Sequence, residues 1–158
     1  MGKQEITLPW GNETTTLALP EGWHLDGVLE PSSQRGVRNA VQTVRGSLAS
    51  PIGSPRLREL VEGGMQVALV IDDLSRPTPI SLILPVVLEE LRHGGVRREE
   101  ITLVTALGVH RPMSEEEISA RVGSELLKSL RWENHDCDAM QCLDSLGVTE
   151  RGTRVLVN

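Results

Sequence analysis

Two polar stretches carry most of the chemistry this chain could do. The first, "DDLSRPTP" from Asp72 to Pro79, combines two carboxylates, two hydroxyls and a guanidinium. The second, "TALGVHRPMSEEE" from Thr105 to Glu117, brings His110 and Arg111. His110 is the one ionisable group here suited to taking or returning a proton near neutral pH. Asp73 can bind a ligand hydroxyl or orient that imidazole. Ser75, Thr78 and Arg76 are donors, and peptide N–H groups at the start of a helix after "LSRPTP" would add to them, so a phosphate or carboxylate suits the loop. A plainer reading uses the same residues as local architecture. Asp73 and Ser75 then cap a helix, Arg76 pairs with a surface acid, the prolines stiffen a turn, and His110 is a satisfied structural histidine.

The elements around these loops decide whether they can meet. "QVALVIDD" is a nearly continuous apolar run of strand length, the pattern of a parallel strand covered on both faces. A helix follows between Thr78 and His93 and ends at Gly94 and Gly95; Pro85 either kinks a longer helix or sits in the first turn of a shorter one. "ITLVTALG" is a second buried strand, completing a βαβ unit. Ligands of open parallel sheets bind outside the carboxyl ends of the strands. One sheet would therefore bring Asp72, Asp73, Ser75, Arg76 and Thr78 to the same edge as His110 and Arg111.

The rest of the chain extends this pattern. Ser114 and Glu117 form a capping box that opens the helix "EEEISARVG". "SELLKSL" reads as a short helical piece, "RWENHD" as a short strand or its exit, and "TRVLVN" as a further strand. Upstream, "EITLPWGNETTTLALP" reads as a hairpin turning at Gly11 and Asn12. "GWHLDGVLEPSSQRG" is loop-like, and Val37, Ala40, Val41 and Val44 in "VRNAVQTVRGSLA" have helical spacing. A short helix from Pro55 to Glu62 is closed by Gly63 and Gly64. The expected fold class is α/β: a parallel-rich, Rossmann-like sheet with flanking helices and an amino-terminal β-hairpin. The hairpin and its loop occupy residues 1–30 and the α/β core residues 31–158. Ending on an apolar strand is what the front part of a longer protein would do.

Composition narrows the function classes. The 158 residues hold 16 basic against 22 acidic side chains, a net charge of −6, and the basic residues are scattered. A nucleic-acid partner normally needs a concentrated basic surface. There is no Phe and no Tyr, so aromatic platforms for stacking bases are missing and the core must be aliphatic. The start lacks the layout of a secretory signal and no segment approaches a membrane span, so a cytoplasmic location is expected. Cys137 and Cys142 in "HDCDAMQC" lack a recognised zinc spacing and read as reduced thiols. Among the other histidines, His93 lies near a helix end, His24 has little case, and His135 in "ENHD" is a minor candidate.

Taken in order, "SPIGSPRLREL", "DDLSRPTP", "TALGVHRPMSEEE" and "ENHD" resemble the amino-terminal region of the nickel-pincer lactate racemase family. The resemblance covers most of the chain. It implies a 2-hydroxy acid racemase or epimerase that uses a nickel-pincer nucleotide, a nickel-bound pyridinium mononucleotide with sulfur donors. In that family a histidine removes the substrate hydroxyl proton while hydride moves to the cofactor ring. The cofactor-contacting D-x-[ST]-R turn maps onto Asp73, Leu74, Ser75 and Arg76, and the first of two acid/base histidines onto His110. The charge of Arg76 suits it to assist the substrate carboxylate as well. The family's second catalytic histidine, its cofactor-bearing lysine and its nickel-binding histidine correspond to sequence beyond Asn158, so this chain is expected to bind no metal by itself. Its partners would be a small 2-hydroxy acid and the carboxyl-terminal domain of the same protein. Ser75 stands where threonine is commoner, and Val109 where threonine is usual. From the residues alone, a phosphate- or nucleotide-binding module without chemistry stays open as the alternative.

Overall fold

A computed structural model describes residues 4–29 and 39–157. The chain divides into two compact units, Met1–Gly36 and Val37–Asn158. In the first, β1 (Glu5–Trp10) and β2 (Glu13–Ala18) pair antiparallel from Glu5↔Ala18 to Trp10↔Glu13. That register leaves Gly11 and Asn12 as a two-residue turn. Gly11 has φ +61°, the positive value such tight turns need and that glycine adopts without steric cost.

The second unit is built on a parallel sheet ordered β3-β4-β5, with β3 at Val67–Asp72, β4 at Ile101–Ala106 and β5 at Arg131–Asn134. The helices are α1 (Ala40–Ala49), α2 (Leu57–Leu60), α3 (Ile80–His93), α4 (Glu115–Val122) and α5 (Ser124–Leu127). The expected α/β class and parallel sheet are thus observed. Pro85 lies inside α3, so the longer of the two helices is the one that forms. Asn39 caps α1 by accepting from the Gln42 N–H at 2.9 Å, whereas Val37 lies outside the described residues. The helix expected from Pro55 to Glu62 contracts to α2, because Arg56 is its N-cap and Val61 is already extended at φ −125°, ψ 155°. One strand was not foreseen. β6 (Asp144–Val148) pairs antiparallel with β7 (Arg154–Val157) across an irregularity between Ser145 and Gly147.

Register explains where the core sits. Ile71 pairs with Thr105, Leu69 with Leu103 and Val67 with Ile101, while Trp132 and Asn134 of β5 fall opposite Leu103 and Thr105. These residues share one face, and its apolar members pack with Leu84, Leu88 and Leu91 of α3 and Ile118 and Val122 of α4. The alternate positions Ala68, Val70, Thr102, Val104, Arg131 and Glu133 point to the other face, and Val70 is 66% exposed. The expectation that β3 is covered on both faces therefore fails among the described residues. An unbroken apolar run says that both faces tolerate burial, but here the helices that build the core all pack on one of them. No helix among the described residues is long and apolar enough to cross a membrane.

Two ion pairs fasten the outer helices to α3. Arg45 of α1 meets Glu89 at 2.5 Å, and Arg58 of α2 grips Glu90 with both arms, its Nε lying 2.7 Å from Oε2. At the end of α3 the chain passes so close to α2 that a β-carbon on Gly94 would lie 2.8 Å from the Arg58 carbonyl oxygen. Only glycine fits that approach.

Candidate active site

The sheet brings the two polar loops together. Asp72 and Ala106, the last residues of β3 and β4, are paired, so the chain leaves both strands at one edge. Asp73 comes next and turns back on itself: its Oδ1 accepts from the Ser75 N–H at 3.0 Å and from the Ser75 hydroxyl at 2.5 Å, while the Arg76 N–H donates to the Asp73 carbonyl at 3.3 Å. Asp73 is buried, and its other oxygen, Oδ2, is in contact with Nδ1 of His110.

His110 sits on a loop pinned at both ends. Leu107 and Met113 bury their side chains in the core on either side of it, and the His110 N–H donates to the Leu107 carbonyl at 2.9 Å. Asn134, at the end of β5, fixes the far end of the loop. Its Oδ1 accepts from the Thr105 hydroxyl at 2.6 Å and the Met113 N–H at 3.3 Å, and its Nδ2 donates to the Met113 carbonyl at 2.9 Å. The imidazole itself remains 58% exposed.

This geometry assigns the ring's protons. The Ser75 hydroxyl and the His110 ring, helped by the Ser75 N–H, hold the Asp73 carboxyl well below the usual carboxylate range. Asp73 is therefore an acceptor only, and Nδ1–H of His110 donates to it. In the neutral ring Nε2 is then left with its lone pair, the form a general base requires. Of the two roles open to Asp73 in the sequence, the observed contact is with the imidazole.

The neighbouring carboxylate does something different. Asp72 accepts from the Thr78 hydroxyl and from the Arg121 guanidinium, whose Nε also donates to the Asp72 carbonyl at 3.0 Å. Burial acts to raise the Asp72 pKa, but the hydrogen bonds from Thr78 and Arg121 outweigh it and the net shift is downward. The Thr78 hydroxyl proton is thus used within the protein.

Two further expectations are corrected by the contacts. Arg111 is engaged in a two-armed bond with Glu117 of α4, at 2.8 and 2.6 Å. The start of α3 is also a poorer anion site than expected. The N–H groups of Ile80, Leu82 and Ile83 already donate to the carbonyls of Thr78 and Pro79. Arg76 is the opposite case: it is exposed, and no hydrogen bond or ion pair engages its guanidinium among the described residues. Leu74 is half exposed beside it.

The remaining histidines lie elsewhere or contribute backbone. His135 donates its backbone N–H to the Thr105 carbonyl at 3.1 Å. His93 contacts Arg92, and His24 belongs to the amino-terminal unit. Among the described residues, no group of three or more His, Cys, Asp or Glu side chains could hold a metal ion. The free guanidinium and the Ser75 turn fit contact with an anionic ligand; they do not fit coordination of nickel.

Arg121 and Asn134 are the site residues that sequence reasoning missed, and both carried a signal. Arg121 follows Ile118 by three positions and precedes Val122 by one, so helical spacing puts it beside a buried stripe. Asn134 alternates with Trp132 on a strand and must share its inward face. A polar group at an inward position needs a partner, and each found one at this edge.

The chain matches a family model described as the lactate racemase N-terminal domain over residues 10–158. It belongs to that family. A lactate racemase from Thermoanaerobacterium thermosaccharolyticum is 26% identical over 155 residues, covering 97% of this chain and 36% of the relative. One from Lactiplantibacillus plantarum is 30% identical over 125 residues, covering 78% and 29%. The solved structure of the T. thermosaccharolyticum lactate racemase apoprotein superposes with a TM-score of 0.74 at 25% identity, covering 98% of this chain and 36% of that one. A Thermotoga maritima protein shares the fold, with a TM-score of 0.55 at 21% identity over 69% of this chain and 24% of that one. As a lactate racemase N-terminal domain, the chain spans about a third of the length of the curated relatives it matches.

Proposed function

We propose that this chain forms the amino-terminal part of a 2-hydroxy acid racemase or epimerase in which His110 moves the substrate hydroxyl proton. The supporting observation is the Asp73–His110 pair, which leaves Nε2 as acceptor on an exposed ring. Asp73 orients the imidazole through its contact with Nδ1. Ser75 holds Asp73 in place. Arg76, exposed and unpaired among the described residues, binds an anionic group of the substrate or cofactor, and a carboxylate matches its planar fork.

A nickel-pincer nucleotide, when bound, would supply an acceptor and donor of hydride at the substrate carbon. Asp73, Leu74, Ser75 and Arg76 are the residues of this chain that would contact it. Its attachment, its metal ligands and a second acid/base group are assigned to further sequence of a longer enzyme, so this chain alone is expected to be inactive. A binding module that only cradles phosphate is the weaker reading, because the N–H groups of Ile80, Leu82 and Ile83 at the start of α3 are already satisfied internally. We also assign the protein to the cytoplasm.

The test uses the full-length enzyme loaded with cofactor, with racemisation of a panel of 2-hydroxy acids followed by chiral chromatography. His110→Ala should lower kcat by about 10²–10⁴-fold, the usual worth of a positioned acid/base group. Asp73→Asn should fall between that variant and wild type. Nickel content should be unchanged in both. Normal racemisation by His110→Ala would overturn the assignment, and loss of nickel from that variant would move His110 from proton transfer to cofactor retention.

A further inference from the structure

Arg121 lies on the last turn of α4, and its side chain is only 9% exposed. Its guanidinium spends three N–H donors on the loop after β3. Nε donates to the Asp72 carbonyl at 3.0 Å, Nη1 to the Arg76 carbonyl at 3.1 Å, and Nη2 to the Asp72 carboxylate. Two of the three acceptors are backbone atoms, so the contact fixes where the chain runs as well as neutralising a charge.

Those backbone acceptors bracket the site loop. Asp72 ends β3, Arg76 closes the turn begun by Asp73, and Asp73 with Ser75 lies between them. On the other side, α4 starts at Glu115, just beyond the loop that carries His110. Arg121 therefore ties the element after His110 to the loop that presents Asp73 and Arg76. Burying a cation is costly, and apolar packing would fill the same space more cheaply. What the planar fork provides is simultaneous donation to several acceptors from a rigid array, which an apolar chain lacks altogether and a lysine ammonium offers only from a single atom.

We infer that Arg121 is a positioning residue of this site, setting the Asp73 carboxylate against His110 and holding Arg76 where it meets an anionic ligand. The inference rests on the reading of His110 as the acid/base group. Arg121 touches no reacting atom. Its loss should act on two quantities: kcat through the Asp73–His110 pair, and substrate KM through Arg76.

Both can be read in the full-length, cofactor-loaded enzyme. Arg121→Met keeps the length and removes the donors, whereas Arg121→Lys restores one charged donor. Arg58→Gln breaks an arginine–carboxylate contact between α2 and α3, away from the site, and serves as control. The expected result is a fall of about 10²-fold in kcat/KM for Arg121→Met, the scale of a misplaced reacting group. It should be shared between a higher KM and a lower kcat, with Arg121→Lys intermediate. Arg58→Gln should lower the melting temperature and leave both constants alone. If Arg121→Met does not fold, the lysine variant decides: a raised KM supports the inference, and wild-type constants overturn it. A fall confined to apparent kcat, matching the lost folded fraction, also overturns it. His110→Ala assayed alongside separates the two ideas. An inactive His110→Ala beside Arg121 variants with wild-type constants refutes the positioning role alone, whereas an active His110→Ala refutes the reading beneath it.

Discussion

Asn134→Ala tests how the His110 loop is held. Alanine removes three hydrogen bonds: Thr105 hydroxyl to Oδ1 at 2.6 Å, Met113 N–H to Oδ1 at 3.3 Å, and Nδ2 to the Met113 carbonyl at 2.9 Å. The partners have little access to water, since Thr105 is fully buried and Met113 nearly so. Thr105 has a fallback in the Glu133 carbonyl, but at 3.4 Å it is a weak one. Among the described residues the Met113 N–H and carbonyl have no hydrogen bond besides those to Asn134. A buried polar group left unpaired costs about 1–3 kcal/mol, and an ordinary hydrogen bond is worth about 0.5–1.5 kcal/mol net. With two groups stranded and one partly rescued, the loss should be about 2–6 kcal/mol. At a urea slope of about 2 kcal/mol per molar, the unfolding midpoint should drop by about 1–3 M. Far-UV circular dichroism reads that midpoint, and hydrogen exchange at the Met113 amide should accelerate beyond the global change. A midpoint within about 0.3 M of wild type, with unaltered exchange at Met113, would show that the apolar anchors Leu107 and Met113 hold the loop without the amide.

Other consequences can be measured with simpler variants. Glu117 has its pKa lowered to about 2, chiefly by the Arg111 side chain and then by the Ser114 N–H. A depressed carboxyl pKa adds stability that is complete above the ordinary value and lost as pH falls through the folded one. The melting-temperature gap between wild type and Glu117→Gln should therefore be open at pH 6 and close between about pH 4 and 2, and a gap that ignores pH would refute the pairing. Gly94→Ala should destabilise by about 1–3 kcal/mol through overpacking against α2, and a neutral result in urea would mean that Val61 and the Arg58 backbone can retreat. Asp73→Asn should change the ring nitrogen shifts of His110 by NMR even without substrate, and unchanged shifts would sever the proposed link between the two.

Much of the frame could be read from residue types. The βαβ unit, the hairpin turn at Gly11–Asn12 and the Ser114–Glu117 capping box follow from local patterns whose physics is short-ranged, and all three are present. Placement of Asp73 and His110 at one edge followed from strand polarity, which also needs no distant information. What escaped depends on choices among competing partners. Arg111 and Arg76 look equivalent in the sequence, yet one lies within reach of Glu117 and the other pairs with no acid among the described residues. The uncovered face of β3 escaped because an apolar run does not say how many layers cover it. β6 escaped because Asp144 and Ser145 are polar and Gly147 separates Leu146 from Val148, leaving too short an apolar pattern to mark a strand.

The sequence span of the site has a consequence for how it comes into being. The Asp73–His110 contact bridges 37 positions, Arg121 to Asp72 bridges 49, and Asn134 reaches Met113 over 21. All of these partners fall between β3 and the end of β5. Because these partners are separated by modest stretches of chain and all depend on the same three strands, the dyad and its supports can assemble together as one cooperative piece. During synthesis, which runs from the amino terminus at about 5–20 residues per second, the imidazole would be seated against its carboxylate soon after β5 emerges. The entropy of arranging proton acceptor, carboxylate and loop is thus spent once, while the chain is being made. None of it need be spent again each time a ligand arrives.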